Sequence, residues 1–270
     1  EIDENCDGVE QPIEVCAWRF SVSENIYDIR PVIWQVDANQ QIIETTRYGL
    51  GFEPTEDQDE NYSAYPTAVN DAGIAVGFGD ISHENSLTTT KLFPFIFQVG
   101  ETLEVLESHG DYYGGYAFDI NNNNIVVGKI LKLVGRGLED VIFTYNLNTE
   151  TLSTPTIFYK NSQGSANAIN DKGLMVGEAE YEVTSSTTRR KHGYLYDTNT
   201  NEFFDLNELT QCNSPFEIIE VRDINNNDEI FATALKKVER RDVLGEVILD
   251  EDGNATHEQV AVAVLLTPVE

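Results

Sequence analysis

The chain holds one methionine, two tryptophans, three cysteines and four histidines, and only 17 lysines and arginines against 47 aspartates and glutamates. Each scarcity excludes something. A net charge of −30 repels a phosphate backbone, so no nucleic-acid partner is expected. No apolar run approaches the roughly 18 residues of a membrane-crossing helix, so no membrane span is expected either. Neither CxxC nor His-x-x-x-His occurs, which leaves zinc without a ligand set. His192 belongs to a strand motif, and His83, His109 and His257 fall in connections or turns. Gly-x-Ser-x-Gly elbows, Walker loops and dinucleotide fingerprints are missing. So is any long stretch of Ala, Leu, Glu and Lys at helical spacing, whereas 12 tyrosines and 13 phenylalanines favour strands. Glu1 is neither an initiator methionine nor the start of a signal-like segment. Such a start is expected of a chain whose leader has been removed, or of a fragment of a longer protein.

The few cysteines bear on compartment. Cys6 and Cys16 lie ten apart in a stretch without helix signals. In an oxidising compartment their pairing is the simplest, closing a short loop worth about 2–3 kcal/mol and leaving Cys212 free. A bridge from Cys212 to either of them stays open. Among the many carboxylates, the acidic loop with Asp57, Asp59 and Glu60 offers oxygen ligands for weak calcium binding; its competing reading is a solvated charged loop. Asp250-Glu251-Asp252-Gly253-Asn254 brings its glycine too early for an EF-hand loop and reads as a hairpin turn.

What the chain does have is a repeated phrase. Around Asn170 it reads Ala166-Asn167-Ala168-Ile169-Asn170-Asp171-Lys172-Gly173-Leu174-Met175-Val176-Gly177, and versions of it surround Asn70, Asn121 and Asn225. These key asparagines are 51, 49 and 55 residues apart. A period of roughly 50 residues marks a repeat architecture. Three positions after each key Asn stand Gly73, Asn124, Gly173 or Asp228. Those residue types tolerate φ > 0, so a tight hairpin turn is expected, and the Asn side chain should fold back onto backbone two residues on. Two positions before it stand Ala68, Asp119, Ala168 or Asp223, mostly small, as suits a crowded inner strand.

A second hairpin follows the inner one in each of three repeats: Phe95–Val99 with Leu103–Leu106, Val141–Tyr145 with Thr151-Leu152, and Gly193–Asp197 with Glu202–Leu206. Pro31–Val36 with Gln41–Glu44 forms an earlier outer hairpin. Two hairpins per repeat make a four-stranded meander, the blade of a β-propeller. The expected fold is therefore all-β, a propeller of about five four-stranded blades, with four or six as alternatives, closed by strands from both ends of the chain. Residues 1–12 read as an acidic lead-in and 13–270 as one propeller domain. Further strand material is expected within 231–266, including Val247-Ile248-Leu249 and Val260–Leu266.

At the outer hairpin of the third repeat, His192-Gly193-Tyr194-Leu195-Tyr196-Asp197 is followed by Asp205-Leu206-Asn207-Glu208-Leu209. Together with Ala-x-x-Ile-Asn-x-x-Gly-x-x-Val-Gly, this resembles the HAF repeat of bacterial extracellular proteins. There a His-Ala-Phe-Leu-Tyr-like strand leads to Asp-Leu-Gly-x-Leu and then to an Ile-Asn-x-x-Gly hairpin. The chain also looks like a larger bacterial family of unknown function built from the same units. The likeness covers about residues 30–235 and is most specific at Asn70 and Asn170. Histidine takes the name-giving position only as His192, and Ala232 stands where the phrase expects glycine. The resemblance implies an exported bacterial protein (periplasmic, surface-bound or secreted) with a propeller-like fold. It carries no catalytic residue with it.

Two functional classes remain. The first is a non-enzymatic binding or scaffold propeller, because each recurring residue has a structural role and propeller loops vary freely. Its docking end is expected where the second strand of each blade leads to the third. Eleven of the 17 basic residues fall there, among them Arg189, Arg190, Lys191, Lys236, Lys237, Arg240 and Arg241. A basic rim of this kind suits an anionic partner, such as an acidic polysaccharide or an envelope protein. The second class is an extracellular hydrolase or lyase acting on a glycan or peptide, with Asp119 and Asp223 as paired channel carboxylates. The competing role for those two is to cap turns or bind backbone amides.

Overall fold

In the computed structural model, residues 29–51, 62–83, 86–105, 112–134, 137–183 and 189–269 are described. The 1–12 lead-in, Cys6, Cys16, Asp57, Asp59 and Glu60 lie outside them. The described chain is all-β, with 17 strands. It opens on a two-stranded hairpin, β1 (Val32–Val36) and β2 (Ile42–Arg47). Three four-stranded antiparallel sheets follow. The first contains β3 (Ala64–Val69), β4 (Ala75–His83), β5 (Ser86–Gln98) and β6 (Glu101–Glu104). The second contains β7 (Tyr112–Ile120), β8 (Ile125–Val134), β9 (Gly137–Asn146) and β10 (Thr151–Ser153). The third contains β11 (Gly164–Ile169), β12 (Leu174–Val183), β13 (Arg189–Asp197) and β14 (Glu202–Asp205). A fourth, three-stranded sheet contains β15 (Phe216–Ile224), β16 (Ile230–Glu239) and β17 (His257–Leu266). A single turn of helix among the described residues, α1 (Leu206–Leu209), follows β14; the Asp205 carboxylate caps it by accepting the Asn207 N–H.

The repeats expected from the sequence are these sheets, and the outer hairpins fall where the alternating patterns place them. One stretch differs. Val247-Ile248-Leu249 joins no strand: it sits in the β16–β17 connection, held by isolated bridges from Arg241 to Val247 and from Leu249 to Ala255. Its polar neighbours supply no second face to bury.

Consecutive sheets pack face to face, and the core lies between them. Val127 and Ile142 of the second sheet meet Ala166, Ile169, Met175 and Tyr194 of the third. Ala168 and Val176 of the third meet Ile218, Val221, Ile230 and Ala234 of the fourth. Each fully buried Val, Ile or Met contributes about 1.5–3 kcal/mol. The strands that lead into a key Asn (β3, β7, β11, β15) lie beside one another in succession.

Each inner hairpin carries a β-bulge at one equivalent place, between Pro66 and Ala68, Ala117 and Asp119, Ala166 and Ala168, and Val221 and Asp223. The extra residue is left unpaired in the ladder, and the side chains of Thr67 and Asn167 reach both their own sheet and the next. Thr67 Oγ1 thereby reaches the Ala117 carbonyl at 2.9 Å, and Asn167 Nδ2 reaches the Val221 carbonyl at 2.6 Å, each in the next sheet. The bulge also explains the closing glycine of the phrase: a Cβ on Gly177 would overlap the Ser165 carbonyl oxygen. The fourth sheet has Ala232 here, where β15 carries a second register shift between Ile218 and Glu220.

The expected left-handed position is present in all four turns, at Gly73 (φ 75°), Asn124 (62°), Gly173 (84°) and Asp228 (63°). Gly173 is the crowded one. A Cβ there would lie 2.6 Å from Asn199 Nδ2 and 2.7 Å from Thr198 Oγ1, whereas Gly73 faces open space. Gly173→Val should therefore cost about 1–3 kcal/mol, and Gly73→Val less, because only backbone strain acts on it. Chemical unfolding of both variants checks this; equal losses would show that crowding from the outer turn contributes nothing.

Candidate functional site

The four inner turns line one opening of about 270 Å3, with Asn70, Asn121, Asn170 and Asn225 on its wall. Each key Asn makes the expected Asx-turn and at least one bond more; Asn70 and Asn170 also donate to Asn124 Oδ1 and Asp228 Oδ1, both at 2.9 Å. Asn121 Oδ1 accepts the N–H groups of Asn123 and Ile125, both at 3.0 Å. Its amide is then free to leave the turn, and it donates to the Asn170 carbonyl at 3.0 Å. Asn70 reaches the Asn121 carbonyl at 3.3 Å, and Asn170 the Asn225 carbonyl at 3.1 Å. A chain of amides thus runs from sheet to sheet.

A second chain runs beside it through the residues following each key Asn, which alternate Asp71, Asn122, Asp171, Asn226. The N–H of Asp71 donates to Asn122 Oδ1, that of Asn122 to Asp171 Oδ1, and that of Asp171 to Asn226 Oδ1. Asn122 Nδ2 bonds both Asp71 and Asp171 at 3.0 Å, and Asn226 Nδ2 bonds Asp171 at 2.8 Å. The N–H of Asn122, with the two amides, holds the Asp171 carboxyl below the usual carboxylate range. The mouth is built of polar groups that satisfy one another.

Asp119 and Asp223 do not form a hydrogen-bonded pair. Asp119 Oδ1 takes the N–H of Ile120 and Oδ2 that of Ile169, both at 2.8 Å. Asp223 takes the N–H of Ile224. Binding backbone amides is thus what the two carboxylates do here. Burial pushes the Asp119 carboxyl up to about 6 against these two bonds, with repulsion from Asp223 and Asp171 adding to it.

At the opposite end of the strands, a groove of about 460 Å3 opens between the third and fourth sheets, lined by Tyr181, Arg190, His192, Asn207, Cys212 and Glu217 among others. His192 Nδ1 pairs with Asp205 Oδ2 at 2.7 Å, and its Nε2 lies 3.7 Å from Glu217. Burial raises the Asp205 carboxyl, but the bonds from His192 and Asn207 outweigh it and leave it below its ordinary value. Tyr181 stacks on His192 with centroids 3.4 Å apart, and Arg190 lies over its ring at 5.3 Å. Asn207 spans from α1 to β15, donating to the Ile218 carbonyl at 2.9 Å and accepting its N–H at 2.6 Å. His192 is therefore a strut between β13 and β14, on a ring already sandwiched.

With both ends of the sheets described, the chain can be placed among known proteins. Over residues 1–270 it matches the model of a family described as "Protein of unknown function (DUF3466)". The chain belongs to the DUF3466 family. No curated protein matches it.

In this DUF3466 chain the cations expected at the loop end are largely held. Arg189 binds Glu180 and Arg190 binds Glu217, both at 2.8 Å; Lys191 lies 3.9 Å from Glu178, and Arg241 binds Glu239 at 3.1 Å. Lys236 sits over the Phe216 ring at 5.5 Å. Lys237 and Arg240 make no ion pair with another described residue. Cys212 is exposed, with a free thiol. Sequence reasoning missed Tyr181, Glu217 and Asn207; the Asp-Leu-Asn phrase after β14 was the one signal that held Asn207.

The Asp119 titration has a sign. A folded-state carboxyl raised above its ordinary value of 3.8 favours the folded state at low pH, and that contribution is lost as pH rises through about 6. The melting temperature of Asp119→Asn, measured against wild type from pH 4 to 7, should rise relative to it across this window. Parallel curves would refute the buried, raised carboxyl.

Proposed function

We propose that this DUF3466 chain is an exported, non-enzymatic scaffold of the HAF-repeat type, a β-propeller of about five blades closed by strands from both ends, which docks an anionic partner at its loop end. One observation carries this reading: the recurring polar groups, from the key asparagines to Asp119 and Asp171, are each occupied by backbone or by one another. A site of chemistry needs groups left over, and the repeat leaves few.

The ring is supported by four turns lining one opening and by sheets that cover one another in sequence. The docking end is supported by the basic residues gathered where β12 leads to β13 and β16 to β17. Of these, Lys236, Lys237 and Arg240 meet no carboxylate among the described residues, so their charge is available to a partner, and a partner held this way is salt-sensitive. The acidic remainder of the surface repels anions elsewhere and confines docking to this rim. An acidic polysaccharide or an acidic envelope protein has the required charge.

Lys236→Glu/Lys237→Glu/Arg240→Glu is the variant to compare with wild type, on arrays of acidic polysaccharides and on envelope extracts at low and high salt. Wild type should capture a partner at low salt at least about tenfold better than the variant, with the difference shrinking at high salt. Equal capture by both proteins at both salts would leave the rim a solvated surface.

A further inference from the structure

The face that each of the first three sheets turns toward its successor is covered. Six residues after the key Asn stand Val76, Val127 and Val176, each 0% exposed. The fourth sheet has Phe231 in that place, 48% exposed, and Leu265 opposite it on β17 is 62% exposed. Ile96, which stands opposite Val76 in the first sheet, is 0% exposed. Ala261 and Ala263 continue the open stripe along β17.

The polar chains stop at the same sheet. Three key asparagines donate to the carbonyl of the next turn, but Asn225 Nδ2 folds back onto Glu229 of its own turn at 2.7 Å. Asp119 holds an N–H of the next sheet, whereas the equivalent Asp223 has only its neighbour Ile224 among the described residues. The fourth sheet thus ends in an apolar patch beside the Asn that each of the first three sheets, and the Asp that the second, uses to bind a following sheet.

At the other end of the array, Ile29 lies beside the start of β3. Its carbonyl accepts the Ala64 N–H at 2.8 Å, and its own N–H donates to Ser63 Oγ at 3.1 Å. Residues 1–28 therefore lead up to the flank of the first inner strand. The β1–β2 hairpin comes next in the chain, in the order that an outer hairpin takes, and Ile33 packs against the first core cluster. An inner hairpin of this repeat needs about as many residues as 164–183, which make 20. The 28 residues before Ile29 suffice once the 1–12 stretch, expected above to be a lead-in, is counted with them.

We propose that the open β15–β17 face is a docking surface for residues 1–28 of the same chain, which join the fourth sheet to β1–β2 and close the array; this rests on the ring reading above. The Asn225 amide, which bonds no neighbouring sheet among the described residues, and an apolar patch around Phe231 are what such a segment covers. The experiment is photocrosslinking in the full chain, with Phe231→benzoylphenylalanine and, as a control, Val99→benzoylphenylalanine in an exposed turn. Position 231 should crosslink within the monomer to peptides from residues 1–28, and position 99 should not. A crosslinked dimer would give the face to a second copy and overturn the proposal. Crosslinks from 231 to another part of the chain, or none above the control, would overturn it as well. Anion capture at the basic rim does not involve Phe231, so the docking reading stands or falls by its own assay.

Discussion

A primary amide has two ends that do opposite things, and this structure depends on that. The oxygen of each key asparagine accepts two N–H groups of its own turn and so fixes the hairpin. The nitrogen, left over, donates to the next turn's carbonyl and so fixes the distance to the next sheet. Among side chains of that length in their neutral-pH forms, only the amide of Asn carries an acceptor and a donor on separate atoms of one carbon. Because one residue settles both the local bend and the neighbour's position, repeating it every 50 residues or so propagates an array. The bulge before it adds a second tie through Thr67 and Asn167, and Asp119 adds a third.

The charge of the chain follows the same division. Carboxylates near the turns are held by N–H groups and amides: Asp171 sits between Asn122 and Asn226, and Asp71 accepts Asn122. At the loop end, guanidinium and ammonium groups meet glutamates of the same or the next sheet, as Arg190 does with Glu217. Exposed pairs of this kind contribute little stability. Their effect is to orient the cations toward carboxylates of neighbouring strands. Glu180 is the deeper case, a buried carboxylate satisfied by Tyr159, Arg189 and the Gln163 N–H.

Much of this was legible in the residues, and the limit is physical. Turn chemistry is local, so Gly173 and Asp228 at φ > 0, and the Asx bend at Asn170, could be read from four consecutive letters. The alternation of the outer hairpins is likewise local. The hydrogen bond from the Asn121 amide to the Asn170 carbonyl spans 49 positions, and nothing in either phrase says that the spare nitrogen points at the next turn. The bulge at Ala166 to Ala168 is invisible because it changes register without changing composition. Cations grouped at Arg189–Lys191 read as an open patch, since the sequence does not show Glu180, Glu178 and Glu217 arriving beside them from other strands.

The amide chain itself is tested most directly by exchanging one atom. Asn121→Asp keeps the acceptor oxygen for the turn but replaces the donor facing the Asn170 carbonyl with a second oxygen. Asn146→Asp, in the same sheet, makes the same exchange at an outer turn, where Oδ1 accepts the N–H groups of Asn148 and Thr149. The amide nitrogen there has no bond to another sheet among those described. Denaturant unfolding of the two variants at neutral pH should show a loss of about 2–3 kcal/mol for Asn121→Asp. For Asn146→Asp it should stay within about 0.5 kcal/mol. Equal losses would mean that the asparagines shape their own turns and nothing beyond them.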